Sequence, residues 1–499
     1  MTASTDDIGA LAKGGRTNIA GFALRLLARL PFLFIAGRIY GADLVGRFAL
    51  AVVVVELAAL VATLGLKRGL AQALSTTDRP HVDVVWDALA VALGASLAAS
   101  AVLFAFPEIM YQDNTASWIE RLLPLIAVAI AWSDISLAAL AYRRDVKATV
   151  TARAVVEPWT LSVAAFAFSF VSHHDGLILA YMLSMAAALA ASLIPLVRSY
   201  GRPVGWRPQP ARLLTLARAN MPLAGADSLE WGSRNVDRFI LGLIFEPRIV
   251  GIYYMAQQVA SLPQKLKTSF DPVLGPVIAA NLARNDRAAV ANQVAQVSFW
   301  IVAAQTCLAL AGSIPSESVM GVVGPSFVAG ATALAFLLFG EVAASTGAVC
   351  ESALVYVDRV GNLMISVAML AVQIALSFVL LFAARGLDWS LGWQVAAPAV
   401  ALFVTLGLTS IIKARRLQRL LEAPVWRLRR PFVAATLAGA AVGAAFTALP
   451  RSAEWAELII GVPAMAATYL FILWRYAFRE EDRTLLRRMP SNPEPTLPL

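Results

Sequence analysis

The chain has 499 residues, of which 59% are hydrophobic and 15% charged, and its formal net charge is +9. About a quarter of the residues in an ordinary soluble domain are charged, so this composition excludes a typical soluble protein and indicates a polytopic membrane protein. The two cysteines, Cys307 and Cys350, lie inside apolar runs, which argues against a disulfide framework or a cysteine metal site.

Fourteen segments are apolar over about the twenty residues that a helix needs to cross the hydrocarbon core. In chain order they cover approximately residues 17–37, 48–66, 85–106, 119–141, 154–172, 177–197, 215–244, 251–270, 292–314, 328–352, 362–384, 391–412, 432–449 and 456–476. The first has no cleavage site after it, so we expect it to be retained. The sequence therefore predicts an all-α membrane protein of about fourteen transmembrane helices.

Basic residues are concentrated in alternate connecting segments. Most of the 41 Lys and Arg residues fall in the segments on the same side as the two termini. An excess of this kind in short loops marks the cytoplasmic side, so we expect both termini in the cytoplasm. We expect the basic segment Lys413–Pro431 to lie against anionic lipid. The positive net charge is thus explained without a nucleic-acid partner.

Four arginines remain inside predicted spans: Arg25 and Arg29 in the first, and Arg234 and Arg238 in the seventh. An arginine at the bilayer centre costs about 2.5–3.5 kcal/mol by insertion scales, so it persists only where it faces water or a partner. Asn18 shares a helix face with Arg25 and Arg29. These residues predict a substrate-binding cavity lined by Asn18, Arg25, Arg29, Glu230 and Arg234.

The charges of the seventh span also lie on one face. Asp227, Glu230, Arg234, Asp237 and Arg238 fall within an arc of roughly 100° on a helix. This stripe suits an aqueous cavity, but Glu230 and Arg234 are also spaced for an ion pair within the helix. For Asp237 and Arg238 the alternative is a position near the outer interface, where the arginine side chain reaches the lipid headgroups.

Two further carboxylates inside spans are candidates for a role, and one proline predicts a helix distortion. Glu56 is the natural partner of Arg25 or Arg29, because the first two spans are joined by a short loop. Asp134 lies well inside its span, either as a protonation site or as a neutral buried acid. Pro158 removes a backbone hydrogen bond and predicts a kink in the fifth span.

The pattern of the first span recurs 205 residues later. Phe34, Gly37, Val45 and Gly46 are repeated as Phe239, Gly242, Val250 and Gly251, and Arg29 as Arg234. Six spans separate the copies, so both enter the membrane in the same direction and lie on opposite walls of a central cleft. The predicted division is an N-lobe of residues 1–205, a C-lobe of residues 206–412, and residues 413–499 with the last two spans and a cytoplasmic tail.

Motifs for catalysis, nucleotides or metals are missing from the sequence. The chain contains three histidines, two of them in the short outer turn His173–Asp175, where we do not expect a metal. The sequence therefore favours a protein that is not an enzyme and has no bound cofactor.

The chain resembles the multidrug/oligosaccharidyl-lipid/polysaccharide (MOP) exporter superfamily, and within it the Wzx-like polysaccharide flippases. The resemblance rests on "FIAGRIYGADLVGRFAL" (residues 34–50), "LGLKRGLAQ" (64–72) and "NVDRFILGLIFEPRIVGIYYMAQQVA" (235–260). It implies two six-helix lobes that work by alternating access, plus two extra helices. It further implies export of an undecaprenyl-pyrophosphate-linked oligosaccharide across the bacterial inner membrane, for polysaccharide or lipopolysaccharide O-antigen biosynthesis.

The same resemblance suggests roles for particular residues. Arg25, Arg29 and Arg234 would bind the anionic pyrophosphate headgroup, because arginine binds phosphate well. The family tends to use an ion gradient, of H⁺ or Na⁺, and the candidates for ion coupling are Glu56, Asp134 and Asp227, with Glu230 as a further acid. Expected partners are the lipid-linked oligosaccharide, membrane lipids, a polysaccharide polymerase and glycosyltransferases.

Three other functions stay open from the sequence. A cation-coupled multidrug or metabolite antiporter of the superfamily typically has twelve spans and acidic cavities, which differs from the arginine-lined pattern here. A peptidoglycan-precursor flippase is closer to the pattern. A non-transporting membrane scaffold would not need the charges inside the spans.

Overall fold

A computed structural model describes residues 29–111, 116–267, 271–426, 429–448, 454–479 and 482. Throughout these ranges the regular structure is helical, which confirms the predicted all-α class. The described part of each predicted span is largely helical; residues 17–28 of the first span, which include Asn18 and Arg25, lie outside the described residues.

In the described part of the first half of the chain there are seven long or medium helices, which we call the N-lobe. They are α1 (residues 29–40, ending in the π-helical turn Ala36–Tyr40), α2 (Gly41–Ala62), α3 (Leu66–Ser75), α4 (His81–Ala105), α5 (Trp118–Tyr142), α6 (146–168) and α7 (Gly176–Tyr200). The expected distortion near Pro158 is present, since residues Thr151–Val156 of α6 form a π-helical stretch just before it.

The second half repeats the order of long and short helices, and we call its helices up to residue 421 the C-lobe. They are α8 (Pro210–Ile244), α9 (Pro247–Lys267), α10 (Asp271–Ala283), α11 (Arg287–Ser313), α12 (Ser316–Val323), α13 (Ala331–Val357), α14 (Arg359–Gly386) and α15 (Leu391–Leu421). Two more helices, α16 (Arg430–Thr447) and α17 (Glu457–Ala477), pack on α11 through a small apolar cluster centred on Tyr469.

Ten helical stretches within the described ranges are long and apolar enough to cross a membrane, one of them running from Arg29 to Ser75 through α1, α2 and α3. Helices α6, α8 and α9 are outside this set. Helix α8 is polar because it carries the charged stripe between Asp227 and Arg238. A polar helix at this position requires a polar or aqueous environment inside the membrane.

The two lobes touch along α2, which packs on α8 as well as on α9, and two of the contacts lie near its ends. At one end α2 packs on α9, and a Cβ on Gly46 would lie 1.7 Å from the Pro247 carbonyl oxygen. The repeat partner Gly251 makes the reciprocal contact, since its Cβ would lie 2.1 Å from the Ala42 carbonyl oxygen. We call this the α2–α9 contact. The charge distribution predicts that it lies on the outer side.

The second contact between the lobes lies beyond the other end of α2, where α3 packs on α8. A Cβ on Gly69 would lie 1.6 Å from the Asn220 side-chain oxygen, and one on Gly65 would lie 2.5 Å from the Asn220 carbonyl oxygen. We call this the α3–α8 contact. A 22-residue helix such as α2 is about 33 Å long, so the two contacts are separated by roughly the thickness of the hydrocarbon core.

Candidate functional site

Arg29 lies between the lobes, at the start of the described part of α1. Its side chain is exposed, and Nη1 donates to the hydroxyl of Ser261 on α9 at 3.4 Å. A hydrogen bond of this length is weak. Among the described residues, Ser261 is the hydrogen-bond acceptor of the Arg29 guanidinium, and its remaining donors can bind another acceptor in the space between the lobes.

Arg234 on α8 approaches the same face of α9. Its backbone carbonyl accepts a hydrogen bond of 2.9 Å from Gln257 Nε2, and its side chain is 39% exposed. Gln257 and Ser261 are four residues apart and therefore stack on one face of α9. The structure thus places Arg29 and Arg234 against adjacent turns of a single helix.

Glu230 contacts two arginines, one from each lobe. Its Oε1 lies 3.5 Å from Arg234 Nη2 within α8, as the alternative interpretation from sequence anticipated. Its Oε2 accepts from Arg68 Nη2 of α3 at 2.6 Å. The Nε of Arg68 also lies 2.7 Å from Asp227 Oδ1, so one guanidinium bridges two carboxylates across the α3–α8 contact.

Sequence reasoning missed Arg68 because it was counted among the cytoplasmic loop charges. Two features could have identified it. Asp227 and Glu230 are three residues apart on one face of α8, which calls for a cation from outside the helix. In addition, Arg68 lies between Gly65 and Gly69, whose missing side chains allow another helix to come close.

Asp134 belongs to an ion-pair network inside the N-lobe. It accepts from Lys67 of α3 at 3.2 Å and from Arg153 of α6, and Arg153 also bonds Glu157 at 2.7 Å. Two cations therefore compensate a carboxylate that is 13% exposed. Buried charges need such compensation to be tolerated. The role of Asp134 in ion coupling stays a prediction.

Glu56 lies on α2, where the two lobes meet. Among the described residues, the Tyr181 hydroxyl donates a hydrogen bond of 3.3 Å to it. The expected partner Arg29 lies within electrostatic range of it, as do Arg238 and Glu157. The other expected partner, Arg25, falls outside the described residues. Glu56 is thus surrounded by charges of both signs at the point where the lobes meet.

Asp237 and Arg238 are buried inside the protein, so the Arg238 side chain does not extend to the lipid headgroups as the alternative expected. Asp237 is 0% exposed and accepts from Tyr253 and Gln373, each at 2.9 Å. Arg238 is 6% exposed and lies 5.4 Å from the centre of the Tyr254 ring. The reason is that α9 and α14 cover this turn of α8 and supply polar partners to it.

Side-chain hydrogen bonds and an ion pair hold the outer turn around His174 in place. Ligand atoms of Glu120, His174 and Asp175 lie within 4.8 Å of one another. Both Glu120 oxygens, however, accept from the Arg47 guanidinium, at 2.5 and 2.9 Å, and Asp175 accepts from Ser117 at 2.7 Å. Partial burial favours the neutral acid, but the hydrogen bonds from Ser117 and His174 outweigh it and hold the pKa of Asp175 below its usual value.

Comparison with known proteins agrees with this architecture. A family model described as "Polysaccharide biosynthesis protein" matches residues 37–312, which is more than half of the chain. No curated protein sequence matches the chain.

Solved structures of two transporter types superpose on most of the chain. The lipid II flippase MurJ in its inward closed conformation has a TM-score of 0.69 at 12% identity, covering 91% of this chain and 97% of its own. A MATE family multidrug resistance transporter of the MOP superfamily, facing inward, has a TM-score of 0.61 at 14% identity, covering 80% and 96%. An outward-facing MATE structure has a TM-score of 0.55 at 13% identity, covering 84% of this chain and 97% of the MATE chain. At these identities the likeness concerns the fold.

Proposed function

Because the chain belongs to the polysaccharide biosynthesis protein family and has the fold of MurJ and the MATE transporters, we propose that it is a lipid-linked oligosaccharide flippase. The substrate would be an undecaprenyl-pyrophosphate-linked oligosaccharide, moved across the bacterial inner membrane by alternating access. Its product would serve polysaccharide or O-antigen assembly. A polymerase and glycosyltransferases would be its partners in that pathway, and the transport itself is not an enzymatic reaction.

One observation carries this proposal: the Arg29 guanidinium and the backbone carbonyl of Arg234 contact neighbouring turns of α9 in the space between the lobes, and the Arg234 side chain is 39% exposed. Guanidinium groups present a planar fork of donors that fits phosphate oxygens, and such charge-assisted bonds are about twice as strong as neutral ones. A diphosphate offers enough acceptors for two arginines at once. The predicted contributions of Arg25 and Asn18 would extend the same site along the first span.

Three acids near this space are paired with arginines, which favours an anionic over a cationic substrate. Asp134 and Glu157 bond Arg153, and Asp227 bonds Arg68. A drug/cation antiporter would need free carboxylates facing its cargo. The arrangement of charges therefore disfavours that alternative.

We propose an ion gradient, of H⁺ or Na⁺, as the energy source, with Glu56, Asp134 and Asp227 as the coupling candidates. Asp227 is the strongest of these candidates, because its carboxylate on α8 binds Arg68 of the other lobe. Its Oδ2 is buried and has no hydrogen-bond partner in the described part of the chain. Losing the Arg68 contact would leave this carboxylate unpaired, and an unpaired buried carboxylate tends to bind a proton.

Binding to a lipid-linked diphosphate tests the anion site directly. Arg29→Ala and Arg234→Ala should each weaken binding of undecaprenyl diphosphate in nanodiscs by about 10- to 150-fold, because a hydrogen bond to a charged group contributes about 1.5–3 kcal/mol. Arg385→Ala is the matched control, since Arg385 is exposed at the far end of α14. If both site variants bind as tightly as the parent, the assigned site is wrong.

A peptidoglycan-precursor flippase is the second candidate, favoured by the higher TM-score of MurJ. Both candidates share the diphosphate and differ in the glycan. Flipping of two lipid diphosphates, one with a peptide-bearing disaccharide and one with a plain oligosaccharide, should be compared in proteoliposomes. Faster flipping of the plain oligosaccharide supports our proposal, and the reverse order supports the alternative.

A further inference from the structure

The two contacts between the lobes differ in chemistry. In the α2–α9 contact, glycine backbones pack on backbone carbonyls, and Val45 and Val250 beside them are fully buried. The α3–α8 contact also uses glycines, but it adds the bridge from Arg68 to Asp227 and Glu230. One contact is therefore apolar and the other depends on charge.

The charged bridge is accessible to water from one side. The Arg68 and Glu230 side chains are 52% and 53% exposed, whereas the Asp227 side chain is 6% exposed. An ion pair that water reaches contributes little to stability, because solvent and salt screen it. A competing anion can therefore displace a carboxylate from Arg68 at small cost.

The bridge is also connected to the anion site. Glu230 bonds Arg68 through one oxygen and lies 3.5 Å from Arg234 through the other. An anion that binds Arg234 therefore arrives beside the carboxylate that holds Arg68. Phosphate oxygens compete well for the guanidinium, since both ligands match its planar fork.

We propose that the α3–α8 contact is the gate on the cytoplasmic side of the cleft, and that Arg68 is the residue through which an anionic diphosphate headgroup opens it. In the closed state Arg68 links the lobes through Asp227 and Glu230. When the headgroup enters, Arg68 exchanges these carboxylates for phosphate and α3 separates from α8. The identity of the anion rests on the proposed function, whereas the gate itself does not.

Cysteine accessibility measures the gate without measuring transport. Ala224 is 9% exposed, and its backbone nitrogen would lie 2.6 Å from a Cβ on Gly65. Ala224→Cys is introduced after Cys307→Ser and Cys350→Ala, and its modification by a water-soluble maleimide is timed in nanodiscs. Arg68→Ala should raise the labelling rate severalfold, and so should the double variant Asp227→Asn with Glu230→Gln. Arg212→Ala is the control, since Arg212 is exposed near the start of α8 and carries the same charge.

A labelling rate equal to that of the parent in both Arg68→Ala and the double variant would overturn the gate. To test the anion, a polyprenyl diphosphate in the nanodisc and free inorganic pyrophosphate are added separately. If either compound raises the labelling rate of the parent but not that of Arg68→Ala, the result supports opening by the headgroup. A difference between the polyprenyl diphosphate and free pyrophosphate tells whether the lipid is needed. No rise with either one overturns that step. If Arg29→Ala and Arg234→Ala retain full diphosphate binding while Arg68→Ala still labels fast, the proposed site fails and the gate stands.

Discussion

The contact between Gly46 and Gly251 allows a sharp test of how the lobes are held together. In Gly46→Ala the new methyl group would lie 1.7 Å from the Pro247 carbonyl oxygen, whereas real Cβ contacts are essentially never shorter than 3.0 Å. Both partners of this contact are backbone, so no side-chain rotation can relieve the clash. Helices α2 and α9 must therefore move apart.

The size of the effect follows from the cost of overpacking. An extra methyl group in a well-packed interface costs about 1–3 kcal/mol. The cost applies only to states in which α2 and α9 touch, so it should shift the population toward separated lobes by about 5- to 150-fold. Gly251→Ala should act in the same direction, because its Cβ would lie 2.1 Å from the Ala42 carbonyl oxygen.

Distances between spin labels would report this shift. Val171→Cys and Leu387→Cys, after Cys307→Ser and Cys350→Ala, place labels on residues that are 74% and 70% exposed, one in each lobe at the α2–α9 end. Gly46→Ala should populate longer distances. Gly94→Ala serves as the control, because nothing lies within 4 Å of the added Cβ on α4. Identical distance distributions in Gly46→Ala and the parent would show that this contact does not hold the lobes together.

Three further predictions concern the buried charges. Arg47→Ala should lower the free energy of unfolding by about 3–5 kcal/mol, because it leaves Glu120, which is 0% exposed, without its cation. Chemical unfolding in detergent measures this loss, and an unchanged unfolding midpoint would contradict the prediction. Asp237→Asn should destabilise less, by about 1–3 kcal/mol, since the amide oxygen can accept from Gln373 and the amide nitrogen can donate to the Tyr253 hydroxyl oxygen; a loss as large as that of Arg47→Ala would refute this ranking. Asp175 has a pKa below its usual value of 3.8 in the folded protein, so the stability it supplies is complete above about pH 4 and is lost as the pH falls through the folded pKa. Asp175→Asn should remove that part of the acid dependence of the thermal midpoint, and a parallel pH profile in the variant would contradict the assignment.

The existence of the helices could be predicted from sequence because each apolar run is long and distinct. Their ends could not, since hydropathy detects only the part of a helix that lies in lipid. Helix α15 was expected to end near residue 412 but continues to Leu421, and α8 begins at Pro210 rather than near residue 215. In both cases the additional turns carry arginines and other polar residues that favour water without breaking the helix.

The candidate site could likewise be predicted only in part from the sequence. The repeat that relates Gly46 to Gly251 was visible in sequence, but their direct contact depends on how two helices cross, which a sequence pattern does not specify. Arg68 and Arg153 were assigned to loops by their positions near span ends. Their partners, Asp227 and Asp134, are distant in sequence and lie close to them only once the helices pack.

The balance of charges supports the proposal that the cleft binds an anion. Inside the N-lobe, Asp134 has two cations, and inside the C-lobe, Asp237 has two neutral donors, so these two acids are satisfied within their own lobes. Arg29 differs, because among the described residues its hydrogen bond is to a hydroxyl rather than to a carboxylate. A cation held inside a membrane protein without a carboxylate partner costs free energy unless a ligand compensates it. A diphosphate headgroup between Arg29 and Arg234 would supply that compensation in the loaded state and remove it on release, which makes the empty cleft the less stable state and draws in the next substrate.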